Sequence, residues 1–428
     1  SLSSLFWKNE VLKNEKNKEI LLLYPVSLPI QKLNIEDNFI QIINSKAVEE
    51  YRKNPEELFQ QHPHSQGNKF IVISALGTYT KNDQLYSFNA RLEDITLQIL
   101  VHLIMDYKEI DKLYVDVSGG QNIYNVALIN AVNIFLKYYE AYYGFSKTLE
   151  TNIIFSDPII PGLKDHTFNI HQSKIQNKAY LELHNIDKNK IQSFFSNICN
   201  NSEERNKVLQ FFNIDFPILF FAFKYCFLVL LKHKKIKEIE INIDDLIRKI
   251  YEKIDEEKKK SFEDENFQSK KDFDTINNIL YNLAIYKGIK DSLDKRFQYN
   301  NENLLATITT QQEQKDDKIN YNYKCSIEIE EEVLQRFGIT DNYNRFKSEL
   351  IVIFKIIDVD KLSNEEFKRD IYKNISINNQ INPRNFVAHS GLEMNLTEYK
   401  LIEKINENQY PASPGVAGGR PKHGSCGA

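Results

Sequence analysis

Cysteine is scarce in this 428-residue chain, and its few cysteines stand far apart. They are Cys199, Cys226, Cys325 and Cys426, and no two of them form a CxxC pair. This spacing excludes a zinc ribbon and offers no disulfide framework, so we expect a protein of the reducing cytoplasm. An excess of positive charge is also absent, because the net charge is −4 and the pI is about 6.2. The charge excludes a protein that holds nucleic acid by bulk electrostatics, but it leaves room for a local basic patch.

Uninterrupted apolar runs of bilayer length are lacking as well. The apolar segment 211–231 is long enough to span a membrane, but it contains Asp215, Pro217 and Lys224. A charged side chain inside a span costs about 2.5–3.5 kcal/mol on insertion scales. We therefore predict a buried helix here and no membrane partner. Hydrophobic residues make up 42% of the chain, which is enough for sizeable cores, and the length indicates two or three domains.

Short apolar runs alternate with helix-length stretches in residues 1–172. The runs are apolar on both faces and end at turn residues, which is typical of buried parallel strands. They lie at 20–24, 70–73, 113–117 and 152–155, with helical stretches at about 39–52, 91–106 and 121–138. This alternation predicts a Rossmann-like, doubly wound α/β domain with a parallel sheet. Its ligand crevice is expected at the carboxyl ends of the strands.

The pattern changes near residue 175, beyond which strand signals nearly vanish. Long charged, amphipathic stretches then predict a mostly helical second half. These stretches lie at 203–233, 243–261, 272–292 and 343–357. Residues 301–330 indicate a loop or a small hairpin. Residues 411–428, rich in small residues, proline and glycine, predict a disordered or cloning-derived tail.

A Gly-Gly turn directly follows one of the buried runs. Ser118, Gly119 and Gly120 come after the strand, and a helix starts near Gln121 and Asn122. Consecutive glycines allow a ligand to approach the main chain, and the first N–H groups of the helix point toward it. Such a turn suits a phosphate or a nucleobase edge. It is neither GxGxxG nor a P-loop, so a dinucleotide cofactor or NTP hydrolysis is poorly supported. The alternative is that these residues only make and cap a tight strand–helix turn.

A second cluster lies in a short helix near the C-terminal end, framed by cap residues at 382–391. Asn385 and His389 are four residues apart and share a face of this helix, whereas Arg384 lies ~140° around the helix from His389. Arginine stabilises negative charge on phosphorus and histidine transfers a proton, so the pair suits phosphodiester transfer. The alternative is an arginine paired with a carboxylate and a histidine at a helix end. No His, Cys and carboxylate cluster has metal-ligand spacing, so we expect neither a metal nor a cofactor.

Together the two clusters resemble the CRISPR-associated CARF–HEPN ribonucleases that accompany type III interference complexes. Residues 113–128 look like the second ligand motif of a CARF domain, a strand ending in D-x-[ST]-x-G before a polar pair and a helix. The positions that fill this motif are Asp116, Ser118, Gly120 and Asn122. Residues 384–389 match the R-x4-H motif of HEPN ribonucleases, with Asn385 in the commonly polar second place.

The resemblance implies a domain order and an activity. It places a CARF domain at 1–174, a helical linker region at 175–270 and a HEPN domain at 271–410, before the tail. Cyclic oligoadenylate binding across a homodimer, or a higher homo-oligomer, then activates the HEPN domains. These cut single-stranded RNA without metal, because the ribose 2′-OH attacks the adjacent phosphate at a site with two Arg–His pairs. Cyclic tetra-adenylate is the favoured activator, since a two-fold dimer presents two identical half-sites, although cyclic hexa-adenylate also fits this symmetry.

The resemblance also assigns site residues. The catalytic residues are Arg384, Asn385 and His389. The activator-binding residues are Ser118, Gly119, Gly120, Gln121 and Asn122, with Ser74, Gly77, Thr78 and Ser156 as further candidates at strand ends. A CARF domain ordinarily opens with a strand and a glycine-bearing loop, whereas residues 1–18 look helical and 19–24 resembles the second strand of the family. We therefore expect that first strand to be missing before Ser1.

Two other interpretations are open at this point. A non-enzymatic transcription regulator with a ligand-sensing α/β domain requires a basic recognition helix, and residues 232–237 are a basic run that suits it. A HEPN toxin restrained by an antitoxin does not require the α/β half.

Overall fold

Strands and helices alternate through the N-terminal part of the chain. The computed structural model describes residues 7–15, 17–30, 48–81, 83–118, 122–157, 169–231, 238–264, 267–269, 271–296, 304–315, 318–327, 331–356, 397–401 and 417–421. The first strands are β1 (Leu21–Pro25), β2 (Lys69–Ile73), β3 (Leu76–Lys81), β4 (Gln84–Asn89), β5 (Lys112–Asp116), β6 (Glu150–Ser156) and β7 (Ile170–Ile175). The first helices are α1 (Val48–Lys53), α2 (Pro55–Gln60), α3 (Leu92–Asp106) and α4 (Asn122–Tyr142). The four predicted buried runs lie in β1, β2, β5 and β6, and the stretches at 91–106 and 121–138 form α3 and α4, so these predictions are confirmed.

The strands form separate small sheets. Strand β1 pairs with β2 in parallel, from Leu21 opposite Lys69 to Pro25 opposite Ile73. Strand β5 pairs with β6 in parallel, and β7 joins the far edge of β6 in the antiparallel direction. Strands β3 and β4 form an antiparallel hairpin. Within the described residues, the two parallel pairs are not hydrogen-bonded into one sheet, so the predicted single parallel sheet is not seen there.

Two hydrophobic clusters hold this part together. Alternate residues of β1 face opposite sides, so that Leu21 and Leu23 contact the main core whereas Leu22 and Tyr24 lie in a smaller one. The main core surrounds α3 and α4, whose apolar positions recur on several sides because both helices are covered by other elements. Burial of each large apolar side chain contributes roughly 1.5–3 kcal/mol.

The second half is mostly helical, as predicted. Its helices are α5 (Lys188–Ser196), α6 (Ser202–Gln210), α7 (Phe216–Lys224), α8 (Leu228–Leu231), α9 (Ile243–Glu263), α10 (Phe273–Arg296), α11 (Glu331–Arg336) and α12 (Thr340–Ile356). Its strands are β8 (Leu304–Lys315), β9 (Lys318–Ile327), β10 (Thr397–Leu401) and β11 (Ala417–Pro421). Strands β8 and β9 form the small hairpin expected at 301–330. Strand β11, within the predicted tail, pairs with β8 and β10.

The apolar segment 211–231 is divided between a π-helical turn, Phe211–Asp215, and the short helices α7 and α8. Phe216 and Phe220 are fully buried in the main core, as the prediction of a buried helix requires. Across the described ranges, no helix is long and apolar enough to cross a membrane.

The main core is continuous from the N-terminal part into the helical half. It includes Ile73 of β2, Ile285 of α10 and Leu350 of α12. Helix α10 lies directly against α4, where Gly288 approaches the backbone of Ala141. Residues before and after the predicted domain boundaries at 174 and 270 therefore belong to one hydrophobic core. The two domain boundaries stay a prediction.

Candidate functional site

The turn after β5 is held in place from both of its sides. The Asp116 carboxylate accepts a hydrogen bond from the Ser118 backbone N–H at 2.8 Å. Asn125, in the first turn of α4, donates its side-chain amide to the Val117 carbonyl at 3.1 Å. These bonds fix the position at which the chain leaves β5 and returns as α4. Gly119, Gly120 and Gln121, which were predicted to bind the activator, lie outside the described residues.

Ser118 places a buried hydroxyl at this turn. The Ser118 Oγ atom is shielded from solvent and has no hydrogen-bond partner among the described residues. A buried polar group without a partner costs about 1–3 kcal/mol, so such atoms are uncommon and call for a physical explanation. The neighbouring Asn122 is the first residue of α4 and its side chain is exposed. A ligand with polar edges at this position is able to bond both side chains and the first N–H groups of α4.

A hydrogen-bonded cluster around Tyr124, which the sequence did not reveal, links α4 to the end of β1 and to β3. Tyr124, buried near the start of α4, accepts a hydrogen bond from the Leu76 backbone N–H at 3.4 Å. Ser27, just beyond β1, and Tyr79 of β3 also hydrogen-bond the Tyr124 hydroxyl. Burial raises the pKa of Tyr124 well above its usual value, so the hydroxyl stays protonated as a donor. The available signal was the position of Tyr124, two residues after Asn122 in the motif.

Ser74 lies at the end of β2, but its side chain faces inward. It is only 1% exposed, and its hydroxyl lies 2.7 Å from the hydroxyl of Ser261 in α9. Gln98 of α3 donates to the same hydroxyl at 2.8 Å and accepts the Ser74 backbone N–H at 2.9 Å. The Ser74 hydroxyl is therefore engaged within the protein, at the contact between the strand end and α9.

Gly77 and Thr78 are exposed on the hairpin that follows β2. Gly77 has a φ of +118°, a conformation that side-chain-bearing residues rarely adopt. Thr78 shares a hydrogen bond with the Ser87 hydroxyl across the hairpin, at 3.3 Å. Both residues belong to the chain that leaves the carboxyl end of β2, and the hairpin places them at the surface.

Ser156, the remaining candidate, ends β6 at the same edge as the Ser118 turn. It is half-buried and lies opposite Ile170 of β7. Because β5 and β6 are parallel, Ser156 and the residues that follow Asp116 come together at one edge. The structure thus places Ser118, Asn122 and Ser156 at this edge, Gly77 and Thr78 on the hairpin, and Ser74 in the interior.

The predicted catalytic residues Arg384, Asn385 and His389 lie outside the described residues. Among the residues that the structure describes, no group of histidine, cysteine and acidic side chains is arranged to hold a metal ion.

The comparison with known families locates one domain. Residues 2–158 match the family described as "CRISPR system endoribonuclease Csx1, CARF domain". No curated protein matches the chain. The matched region contains β1–β6, the Ser118 turn and the start of α4, and CARF domains bind cyclic oligoadenylate activators. The N-terminal part of the chain is therefore a CARF domain.

Proposed function

We propose that this protein is a cyclic oligoadenylate-activated endoribonuclease of type III CRISPR defence. The observation that carries the proposal is the buried Ser118 hydroxyl, which has no hydrogen-bond partner among the described residues and lies beside the exposed Asn122, at the strand edge of a CARF domain. A ribose or phosphate oxygen of the activator satisfies that hydroxyl, and the α4 N-terminus favours its negative charge. The family description of the CARF match, which names an endoribonuclease, supports the enzymatic part.

The cleavage site is assigned to the R-x4-H motif at 384–389. Transesterification requires that a proton leave the 2′-OH, that the 5′-oxygen gain one, and that charge on phosphorus be stabilised. His389 carries the proton transfer, because its ordinary pKa lies near neutrality. Arg384 stays charged at every relevant pH, so its part is electrostatic. Asn385, four residues before His389 in the sequence, orients the imidazole or holds a phosphate oxygen.

The R-x4-H motif supplies a single Arg–His pair per chain, and composite HEPN sites use two, so a homodimer or higher homo-oligomer is the active form. Cyclic tetra-adenylate and cyclic hexa-adenylate both fit a two-fold axis, and the family resemblance favours cyclic tetra-adenylate as the activator. The cleavage needs no metal ion, because two histidine–arginine pairs supply both the proton transfer and the charge stabilisation.

The test is incubation of the full chain with labelled single-stranded RNA, with and without cyclic tetra- or hexa-adenylate. We expect activator-dependent cleavage that EDTA does not inhibit, with 2′,3′-cyclic phosphate and 5′-hydroxyl ends. His389→Ala and Arg384→Ala should each reduce cleavage by at least ~10²-fold without changing activator affinity. Asn122→Ala should weaken activation and leave background cleavage intact.

Three results would contradict this proposal in different ways. EDTA inhibition rescued by added metal, or 5′-phosphate products, would overturn the mechanism even if RNA is cut. Equal loss of activated and background cleavage in Asn122→Ala would assign that residue a folding role. Failure of every cyclic oligoadenylate to bind would overturn the sensing function.

A further inference from the structure

A pair of stacked aromatic rings stands at the carboxyl end of β6. Phe155 is 39% exposed, although its strand neighbour Ile154 is buried. The Phe155 and His171 rings stack with centroids 5.4 Å apart and planes 25° from parallel. His171 lies on β7, directly opposite Phe155 of β6, and is also exposed. A single exposed apolar ring is ordinary on a protein surface, whereas a ring held in a stack presents a defined flat surface.

Asp157 holds the histidine of this pair. One carboxylate oxygen of Asp157 lies 2.6 Å from His171 Nε2. The other oxygen accepts the backbone N–H and the side-chain amide of Asn169, each at 3.0 Å. The bond from His171 and those from Asn169 hold the pKa of Asp157 below its ordinary value, so the carboxylate stays ionised. This contact fixes the orientation of the His171 ring. An exposed histidine on a surface strand has no structural need for such a fixed orientation.

The ring pair lies next to the proposed activator site. Strand β6 is central, with β5 on one side and β7 on the other. The Ile154 carbonyl accepts a hydrogen bond from the Val117 backbone N–H at 2.9 Å, and Phe155 is the next residue along β6. Ser118, whose hydroxyl has no partner within the described part of the chain, likewise comes one residue beyond Val117. The polar turn and the aromatic pair are therefore neighbours along one edge of the domain.

We propose that Phe155 and His171 form a platform on which an adenine base of the activator stacks. This inference rests on the proposed function and adds to it the residues that receive the base. Stacking on an aromatic side chain requires only a flat ring face, and the phosphates of the same nucleotide reach toward polar groups such as the Ser118 turn. Removal of one stacking ring is expected to weaken binding by ~10- to 100-fold.

The test places a fluorescent ring at the platform. The chain contains one tryptophan, Trp7, which is buried and gives the same background in every variant. Titration of Phe155→Trp with cyclic tetra- and hexa-adenylate should quench its emission, because adenine stacks on the indole. The matched control is Tyr180→Trp, since Tyr180 is 62% exposed and its backbone is bonded to Tyr281 of α10, away from this edge. Its emission should stay constant through the same titration.

Affinity measurements by calorimetry complete the test. Phe155→Ala should lose ~10- to 100-fold in affinity, and Phe155→Tyr, which keeps the ring, should bind as the parent does. Binding of the parent with no quenching in Phe155→Trp and no loss in Phe155→Ala would overturn the platform and leave the proposed function standing. An equal loss in Phe155→Ala and Phe155→Tyr would also overturn it, because stacking would not be the cause. Absence of binding to the parent would overturn both.

Discussion

His62 is a buried titratable residue in the smaller core of the N-terminal part. Its side chain is 8% exposed, and its Nδ1 atom lies 3.2 Å from the Tyr24 hydroxyl. The same atom accepts the backbone N–H of His64, also at 3.2 Å. Burial lowers the pKa of His62 to about 4, and the charge of His64 acts in the same direction.

This burial predicts that the protein loses stability as the pH falls from about 6.5 to about 4. In that window the unfolded chain binds a proton at His62 and the folded protein does not, so unfolding is favoured by acid. The contribution is fully present above pH 6.5, and the part of it that is lost between pH 7 and pH 5 is on the order of 2 kcal/mol. Urea denaturation at pH 7 and pH 5 measures it. His62→Asn keeps a side-chain acceptor for the His64 N–H and does not titrate, so its free energy of unfolding should fall less between the two pH values. Identical pH dependence in both proteins would contradict the prediction.

The site residues differ in how well sequence anticipates them. Ser118 and Asn122 follow one another along the chain, so a strand–turn–helix pattern places both at the edge before any tertiary contact is known. Phe155 and His171 meet only because β7 pairs antiparallel with β6. The sequence of β7 is polar and exposed, and a polar strand carries no hydrophobic period by which its pairing can be predicted.

At the scale of elements, Gly288 sets how closely α10 approaches α4. A Cβ atom at Gly288 would lie 2.2 Å from the Ala141 carbonyl oxygen and 2.9 Å from the backbone of Gly144. These neighbours are main-chain atoms, so a Cβ atom fits only if α10 and α4 move apart. Gly144 itself has a φ of +58°, which ends α4 in a turn suited to glycine.

Gly288→Ala should therefore destabilise the protein, although alanine favours helices. Overpacking of a well-packed contact typically costs about 1–3 kcal/mol, and the helix preference of alanine recovers at most about 1 kcal/mol. The free energy of urea unfolding measures the change. Asn277→Ala, at a half-exposed position of the same helix, is the matched control and should change stability by no more than about 0.5 kcal/mol. A Gly288→Ala protein as stable as the parent would contradict the close contact.

Elements with buried apolar runs were predictable, and elements formed by pairing alone were not. Strands β1, β2, β5 and β6 follow from their sequence because each buries apolar residues. The hairpin of β3 and β4 has mostly polar, exposed residues in its first strand, so its existence depends on backbone hydrogen bonds across the pair. The local sequence of β3 therefore does not predict a strand. The joining of β strands into sheets is likewise a tertiary property, which the local pattern of each strand does not contain.

At the scale of the whole molecule, α9 is the element that reaches from the helical half into the CARF domain. Its last residues insert there, and Phe262 is 1% exposed within the smaller core of that domain. Arg52 of α1 donates a hydrogen bond to the Phe262 carbonyl. The Ser261 hydroxyl is hydrogen-bonded to the Ser74 hydroxyl. The chain then continues from Ser74 to Leu76, whose backbone N–H donates to the Tyr124 hydroxyl near the Ser118 turn. A movement at that turn therefore has a short hydrogen-bonded route to α9.

The last prediction is that the Ser74–Ser261 hydrogen bond transmits activation without contacting the activator. Loss of one such bond is worth roughly 1 kcal/mol, which corresponds to about a five-fold lower ratio of activated to background RNA cleavage. Ser261→Ala and Ser74→Ala should both lower that ratio and leave the dissociation constant of cyclic tetra-adenylate unchanged. The paired variants distinguish whether Ser74 binds the activator or only transmits activation. Replacement of a residue that binds the activator weakens activator binding, whereas replacement of Ser261 should not. Weaker binding in Ser74→Ala alone would place Ser74 in the activator site, and an unchanged ratio in both variants would exclude this route of coupling.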